Sequence, residues 1–200
     1  MSSKTRISGK SQTEHTTRTN ILNATTKLLG TNCLPSISIR DIARESKANS
    51  ALISYHFGSK EKLYEAVIKQ QFQAYNDLVV ATFRSDGDIR ANLKNACTAI
   101  SEFHQQNPHW LVFYFRELTN PSGCYATIIL PAIANASKKA TEMVQAGIDQ
   151  SIFKPDTNPR YVVQSFIGLV NYCFMTCRLR NDLNISPDRK STRLNSSHRI

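Results

Sequence analysis

SIRDIARESKANSALISYHFGSKEKL, residues 38–63, is the stretch that decides the fold. Ile39, Ile42, Ala43 and Ser46 fall at i, i+3, i+4 and i+7, so SIRDIARES is a short helix that buries one Ala-Ile face. Ser38 offers the hydroxyl that an N-cap needs, and Asp41 places negative charge in the first turn. Lys47-Ala48-Asn49 then breaks the pattern, and Asn49 can cap a second short helix, Ser50 to Phe57. Two helices joined by so short a turn make a helix-turn-helix, whose second helix can lie in the DNA major groove. Small side chains at Ser50, Ala51 and Ser54 permit close approach to base edges, while Tyr55 and His56 extend toward phosphates.

Upstream, Ile21, Leu22, Thr25, Leu28 and Leu29 mark a bracing helix from Thr17 to Leu29, stopped by Gly30. Downstream, Ser59 caps a fourth helix that keeps Leu63, Val67, Ile68, Phe72, Tyr75, Leu78, Val79 and Phe83 near one face. A helix of that length can link the DNA unit mechanically to the C-terminal part of the chain, until Arg84-Ser85-Asp86-Gly87-Asp88 breaks it. Leu93, Cys97, Ile100 and His104 define the next helix. HWLVFYFRELT, residues 109–119, is apolar around most of its circumference and predicts a buried central helix in which Arg116 and Glu117 need partners or an aqueous cavity. Two more helices are expected, at about 125–150, with Pro131 as a kink or restart, and about 160–179. No strand pattern appears. The expected fold is all-α: residues 1–16 a flexible arm, 17–62 a three-helix DNA-binding domain, and 63–187 a helical domain. Asp188 to His198, DRKSTRLNSSH, back-translates into what resembles a sequencing adapter, so residues 188–200 are expected to be non-native.

Ile21-Leu22-Asn23-Ala24, Ser38-Ile39-Arg40-Asp41-Ile42-Ala43 and Tyr55-His56-Phe57-Gly58-Ser59-Lys60-Glu61-Lys62-Leu63 together resemble the TetR/AcrR-type transcriptional regulators. The likeness spreads over about 45 residues. It departs from the usual pattern at Lys47-Ala48-Asn49, at Ala51 and at Ile53-Ser54, which lie in the turn and on the reading helix and so bear on the operator sequence more than on the fold. The resemblance implies a homodimer whose last two long helices pack on their copies, a pseudo-palindromic double-stranded operator, and a small-molecule effector held among the central helices. Ser38, Arg40, Tyr55, His56 and Lys60 are expected on phosphates; Asn49, Ser50, Ala51, Leu52 and Ser54 on bases. For the effector pocket of the 63–187 domain, the expected residues are Phe103, Trp110, Tyr114, Arg116, Met143, Phe166, Asn171 and Phe174. Repression relieved by the effector is the expected action. The alternative is a DNA-binding architectural or protein-interaction factor with no effector.

Charge distribution agrees with DNA as a partner. Residues 1–62 hold ten Lys/Arg against four Asp/Glu, whereas residues 63–187 hold eleven against ten. No apolar run reaches the roughly 18 residues that a membrane span needs, and the polar start has no signal-peptide core, so a cytoplasmic location is expected. Five cysteines at 33, 97, 124, 173 and 177 fall inside helical patterns and are expected as reduced, mostly buried thiols. A nucleophile elbow, a phosphate-binding glycine loop and an HExxH pattern are all missing, so neither an enzyme nor a metal or other cofactor is expected.

Overall fold

A computed structural model describes residues 5–32 and 34–183, and among these every regular element is helical. The first helix, α1, spans Thr5–Thr31 and so begins well before its apolar pattern does. Residues 5–16, expected as an arm, are helical here. Periodicity marks only the part of a helix that buries a face, and TRISGKSQTEHT contains no proline to stop it. Residues 1–4, Cys33 and residues 184–200, the adapter-like tail among them, lie outside the described residues.

A 3₁₀ turn at Leu34–Ser36 leads to α2 (Ile39–Ser46) and α3 (Ser50–Phe57). Ile21, Leu22 and Leu29 of α1 meet Ile42, Ile53, Phe57 and Leu63 in one buried cluster, each full burial contributing about 1.5–3 kcal/mol. The helix α4 (Lys60–Thr82) is the spine of the molecule. Its Leu63 and Val67 close the head, its Phe72 packs with Trp110, and its Val79 joins a second cluster with Ile89, Ile100, Met143 and Val163.

The body comprises α5 (Ile89–Gln106), α6 (Trp110–Thr119), α7 (Leu130–Asp149), α8 (Pro159–Met175) and α9 (Cys177–Asp182). A π-helical turn at Tyr125–Ile129 precedes α7, with the Leu130 N–H donating to the Tyr125 carbonyl. Pro131 therefore stands in the first turn of α7, where its missing N–H costs nothing, and the expected restart is found.

Two expectations need correction. The helix α6 is not buried around its circumference, because Val112 and Leu118 are exposed; α1 and the π-helical turn cover only part of it. Nor are the thiols mostly buried. Cys124 is, but Cys177 is exposed, Cys97 is exposed at the rim of an apolar cavity, and Cys173 is half-buried.

Around α6 the rings form one assembly. Trp110 stacks on Tyr75 at 4.4 Å and on Tyr114 at 5.1 Å, while His104 lies between Trp110 and Phe174. Stacked and edge-on pairs of this kind add about 0.5–1.5 kcal/mol each beyond their buried area. Burial above all pushes the Tyr75 hydroxyl pKa up to about 12, with neighbouring Tyr114 reinforcing it.

At Gly30 the backbone of α1 lies directly under the His109 ring, so that a Cβ there would come within 2.2 Å of the imidazole. Gly30→Ala should therefore destabilise the chain by about 1–3 kcal/mol in denaturant unfolding. Adding His109→Ala should recover much of that loss, and a double variant no more stable than Gly30→Ala alone would show that the ring is not the obstacle.

Candidate nucleic-acid interface

The head presents its second short helix outward because the ends of both helices are fixed by side chains. At the start of α2 the Ser38 hydroxyl accepts from the Asp41 N–H at 3.1 Å, and the Asp41 carboxylate accepts from the Ser38 N–H at 3.0 Å. This reciprocal capping box satisfies donors that the first turn otherwise leaves unpaired. Hydrogen bonds from Ser38, and then the Arg44 guanidinium, hold the Asp41 carboxyl below the usual carboxylate range. At the other end Lys47 adopts the left-handed conformation, φ 54°, where glycine fits without strain. Asn49 caps α3 by accepting from the Ala51 N–H at 2.9 Å.

With the ends fixed, the faces are set by residue type. Ile53 and Phe57 turn inward, whereas Ala51, Leu52, Ser54 and Tyr55 form an exposed strip. Tyr55 is 73% exposed and stands edge-on to His56 at 5.2 Å. Two large apolar side chains left in water on a helix this short call for a partner, and the thymine methyl is one apolar group that a reading helix meets. Ser59 caps α4 by accepting from the Lys62 N–H, so the positive end of a long helix dipole lies beside Lys60.

Cations flank this strip in the chain. Lys27 and Arg44 are paired with Glu45 and Asp41, at 2.6 and 2.7 Å. Arg40, Lys47, Lys60 and Lys62 have no carboxylate partner among the described residues. The residues expected on phosphates thus fall into two kinds: Arg40, Tyr55, His56 and Lys60 keep free polar ends, while Ser38 commits its hydroxyl to the capping box. Among those expected on bases, Asn49 uses its carbonyl oxygen as a cap and retains only its NH₂, and Ser50, Ala51, Leu52 and Ser54 remain available.

The head is held to the body by consecutive residues of α6. Arg116 donates through Nη2 to the carbonyls of Leu29 and Asn32, at 2.9 and 3.1 Å, stapling the end of α1. Glu117, fully buried, accepts from the Tyr64 hydroxyl in the first turns of α4, from the Ser122 N–H at 3.0 Å and from the Ser122 hydroxyl at 2.9 Å. Burial, and then Glu117, push the Tyr64 pKa well above that of an ordinary phenol. Burial of Arg116 and Glu117 in the sequence pattern demands partners for both. It cannot name Tyr64, which lies 53 residues from Glu117.

The expected pocket residues separate. Met143 and Phe166 line a cavity of about 80 Å³ with Leu93, Ala96, Val162 and Val163, all apolar. Phe103, Trp110, Tyr114 and Phe174 belong instead to the ring assembly, and Asn171 is buried one helical turn before Phe174. Arg116 does not line this cavity; it is turned to the α1 carbonyls, since the carbonyls at a helix C-terminus attract a guanidinium. Among the described residues no group of three His, Cys, Asp or Glu could hold a metal ion.

A helix-turn-helix with an outward reading helix, carried on a helical body, defines a DNA-binding regulator. Residues 21–67 match the sequence profile of bacterial regulatory proteins, tetR family. The chain is similar to the HTH-type transcriptional repressor NicS of Pseudomonas putida, 24% identical over 186 residues, covering 90% of this chain and 85% of that protein. Among solved structures it resembles a HlyIIR mutant protein carrying a linker with two thrombin sites, with a TM-score of 0.68, 24% identity and coverage of 90% and 95%. It also resembles FadR from Bacillus subtilis in complex with stearoyl-CoA, with a TM-score of 0.66, 13% identity and coverage of 82% and 88%. Residues 21–67 thus match the tetR-family regulators in sequence, and the chain shares the fold of solved TetR-family regulators.

Tyr64→Phe removes one donor from a buried carboxylate and should cost about 1.5–3 kcal/mol in unfolding free energy. Leu118→Ala, on the exposed side of α6, should stay within about 0.5 kcal/mol of the parent. Equal effects of the two substitutions would show that the Tyr64 contact contributes nothing.

Proposed function

We propose that two copies of this chain bind a pseudo-palindromic operator through α3 and repress transcription until a small molecule releases them. The carrying observation is the strip Ala51, Leu52, Ser54 and Tyr55, exposed on a firmly capped helix and flanked in the chain by Arg40, Lys47, Lys60 and Lys62, none in a salt bridge among the described residues. In this reading Arg40, Tyr55, His56 and Lys60 hold phosphates, Ser38 holds the start of α2 in place for them through its capping box, and Asn49, Ser50, Ala51, Leu52 and Ser54 face bases. Half-sites one turn apart require reading helices about 34–36 Å apart.

The second copy is supported by an apolar stripe that nothing among the described residues covers. Leu169, Tyr172, Met175 and Leu179 succeed one another along α8 and α9, all more than half exposed. Soluble monomers seldom leave so continuous a stripe in water. Packing of α7 and α8 against their copies would bury it, and Leu169→Asp should then convert dimer to monomer in sedimentation and weaken operator binding together. A Leu169→Asp chain that remains dimeric would place the interface elsewhere.

Effector release is supported by the route from cavity to head. The cavity borders α5, α7 and α8, the ring assembly joins α5 to α6, and α6 grips α1 and α4 through Arg116 and Glu117. A ligand that favours another setting of α6 shifts the spacing of the heads only to the extent that it binds that setting more tightly. NicS is a transcriptional repressor and FadR was seen with stearoyl-CoA, which fits this use of the fold. Action on chromosomal DNA implies a cytoplasmic location.

The test is binding to fragments of the source genome over a salt series. Lys60→Ala should weaken binding to all fragments alike and reduce the salt slope by about 1. Ser54→Ala should change preference among operator variants by about 1–3 kcal/mol per lost base contact. If the two variants act identically on every fragment, the division between phosphate and base contacts is wrong.

A further inference from the structure

Two nitrogen atoms inside the ring assembly have no hydrogen-bond partner: His104 Nδ1 and Trp110 Nε1. Their residues are 4% and 2% exposed, and the two rings touch, with centroids 5.4 Å apart. Each unpaired buried polar group costs about 1–3 kcal/mol, so phenylalanine would serve the packing better at both positions. Two such atoms on neighbouring rings, among Tyr75, Phe103 and Phe174, put polarity into an otherwise apolar interior.

The apolar cavity lies on the same seam. On α5, Ala96 and Cys97 line it, and Ile100 and then Phe103 and His104 continue the stripe at helical spacing. On α8, Val163 and Phe166 line it, and Phe174 continues toward His104. Cys97 to His104 is seven residues and Phe166 to Phe174 eight, which on an α-helix is about 10–12 Å. The cavity has no polar lining, so any polar atom of a molecule seated there must be satisfied further along the seam.

We propose that the effector is an elongated, largely apolar molecule with an uncharged oxygen head. Its body enters the cavity between α5, α7 and α8, and its hydroxyl or carbonyl oxygen accepts from Trp110 Nε1 and pairs with His104 Nδ1. The indole N–H is a donor only, so the ligand supplies an acceptor; a neutral imidazole accepts or donates at Nδ1, so a hydroxyl satisfies both atoms. Burial lowers the pKa of His104, which keeps the ring uncharged at neutral pH; Arg116 spends Nη2 on the α1 carbonyls and lies over the Phe113 ring, and neither cation–π contact among the described residues involves His104 or Trp110. A carboxylate seated between these two rings would therefore lack a countercharge beside it, at a large desolvation cost. At about 80 Å³ the cavity holds part of such a body, and Ile100 has to move aside to admit the rest. That binding at this spot acts on DNA rests on the effector-release reading above; the ligand class does not.

The experiment is calorimetric titration of the full chain with decanol and with decanoate, repeated on His104→Phe and Trp110→Phe, with operator binding measured in parallel. Decanol should bind, decanoate should bind more weakly, and each variant should bind decanol about tenfold less tightly, the loss of one hydrogen bond. Quenching or shift of the emission of the chain's single tryptophan, Trp110, should accompany decanol binding in the unsubstituted protein. Decanoate binding as tightly as decanol, no binding of decanol, or unchanged affinity in both variants overturns the proposal, and the first two need only the unsubstituted chain. Decanol bound as described but without effect on the operator complex upholds the ligand class and overturns release by effector.

Discussion

One buried carboxylate holds this molecule in register. Glu117 lies inside α6 with almost no exposure and is satisfied by three donors, the Tyr64 hydroxyl and the N–H and hydroxyl of Ser122. Tyr64 belongs to the first turns of the helix that leaves the DNA-binding head, so the position of that helix relative to the body is set by a hydrogen bond that cannot be loosened cheaply. Arg116, the preceding residue, fixes the end of α1 through two carbonyls, and Gly30 lets the His109 ring lie on the same helix end. The polar contacts from α6 to the head are thus directional, and they tie α6 to the end of α1 and the start of α4.

The head is legible in the sequence nearly residue by residue. Ser38, Asn49 and Ser59 have the chemistry of caps and act as caps, because capping depends on groups within three residues. Pro131 restarts a helix as expected, for the same local reason. Less legible is whatever depends on distant partners. The beginning of α1 escapes a reading by periodicity since its polar residues carry no period, and α6 reads as buried all round since sequence cannot say which side a neighbour leaves open. Arg116 reads as a cavity residue, yet its partners are backbone carbonyls, which carry no residue signature at all. Of the residues expected in the pocket, Met143 and Phe166 line the cavity, while the aromatic residues grouped with them build a separate, packed assembly.

The two ends of the molecule use the same physics in opposite ways. At the head, apolar and cationic side chains are left in water around α3, a costly surface that DNA can cover. In the body, two polar nitrogens are withdrawn from water beside an apolar cavity, a costly interior that a ligand can satisfy. Between them α4 runs through both core clusters, with Tyr75 and Leu78 packed against each, and on the proposed reading occupation of one end and of the other would compete for a single arrangement of the helices.

The measurement that bears most directly on a two-fold reader of DNA is hydroxyl-radical footprinting of the full chain on the region upstream of its own gene. Two protected patches, centred one helical turn apart on one face of the duplex and flanking a pseudo-palindrome, are the predicted result. Uniform protection along the fragment, or a single patch with no symmetric mate, would contradict it and leave a basic helical protein that grips DNA without reading it.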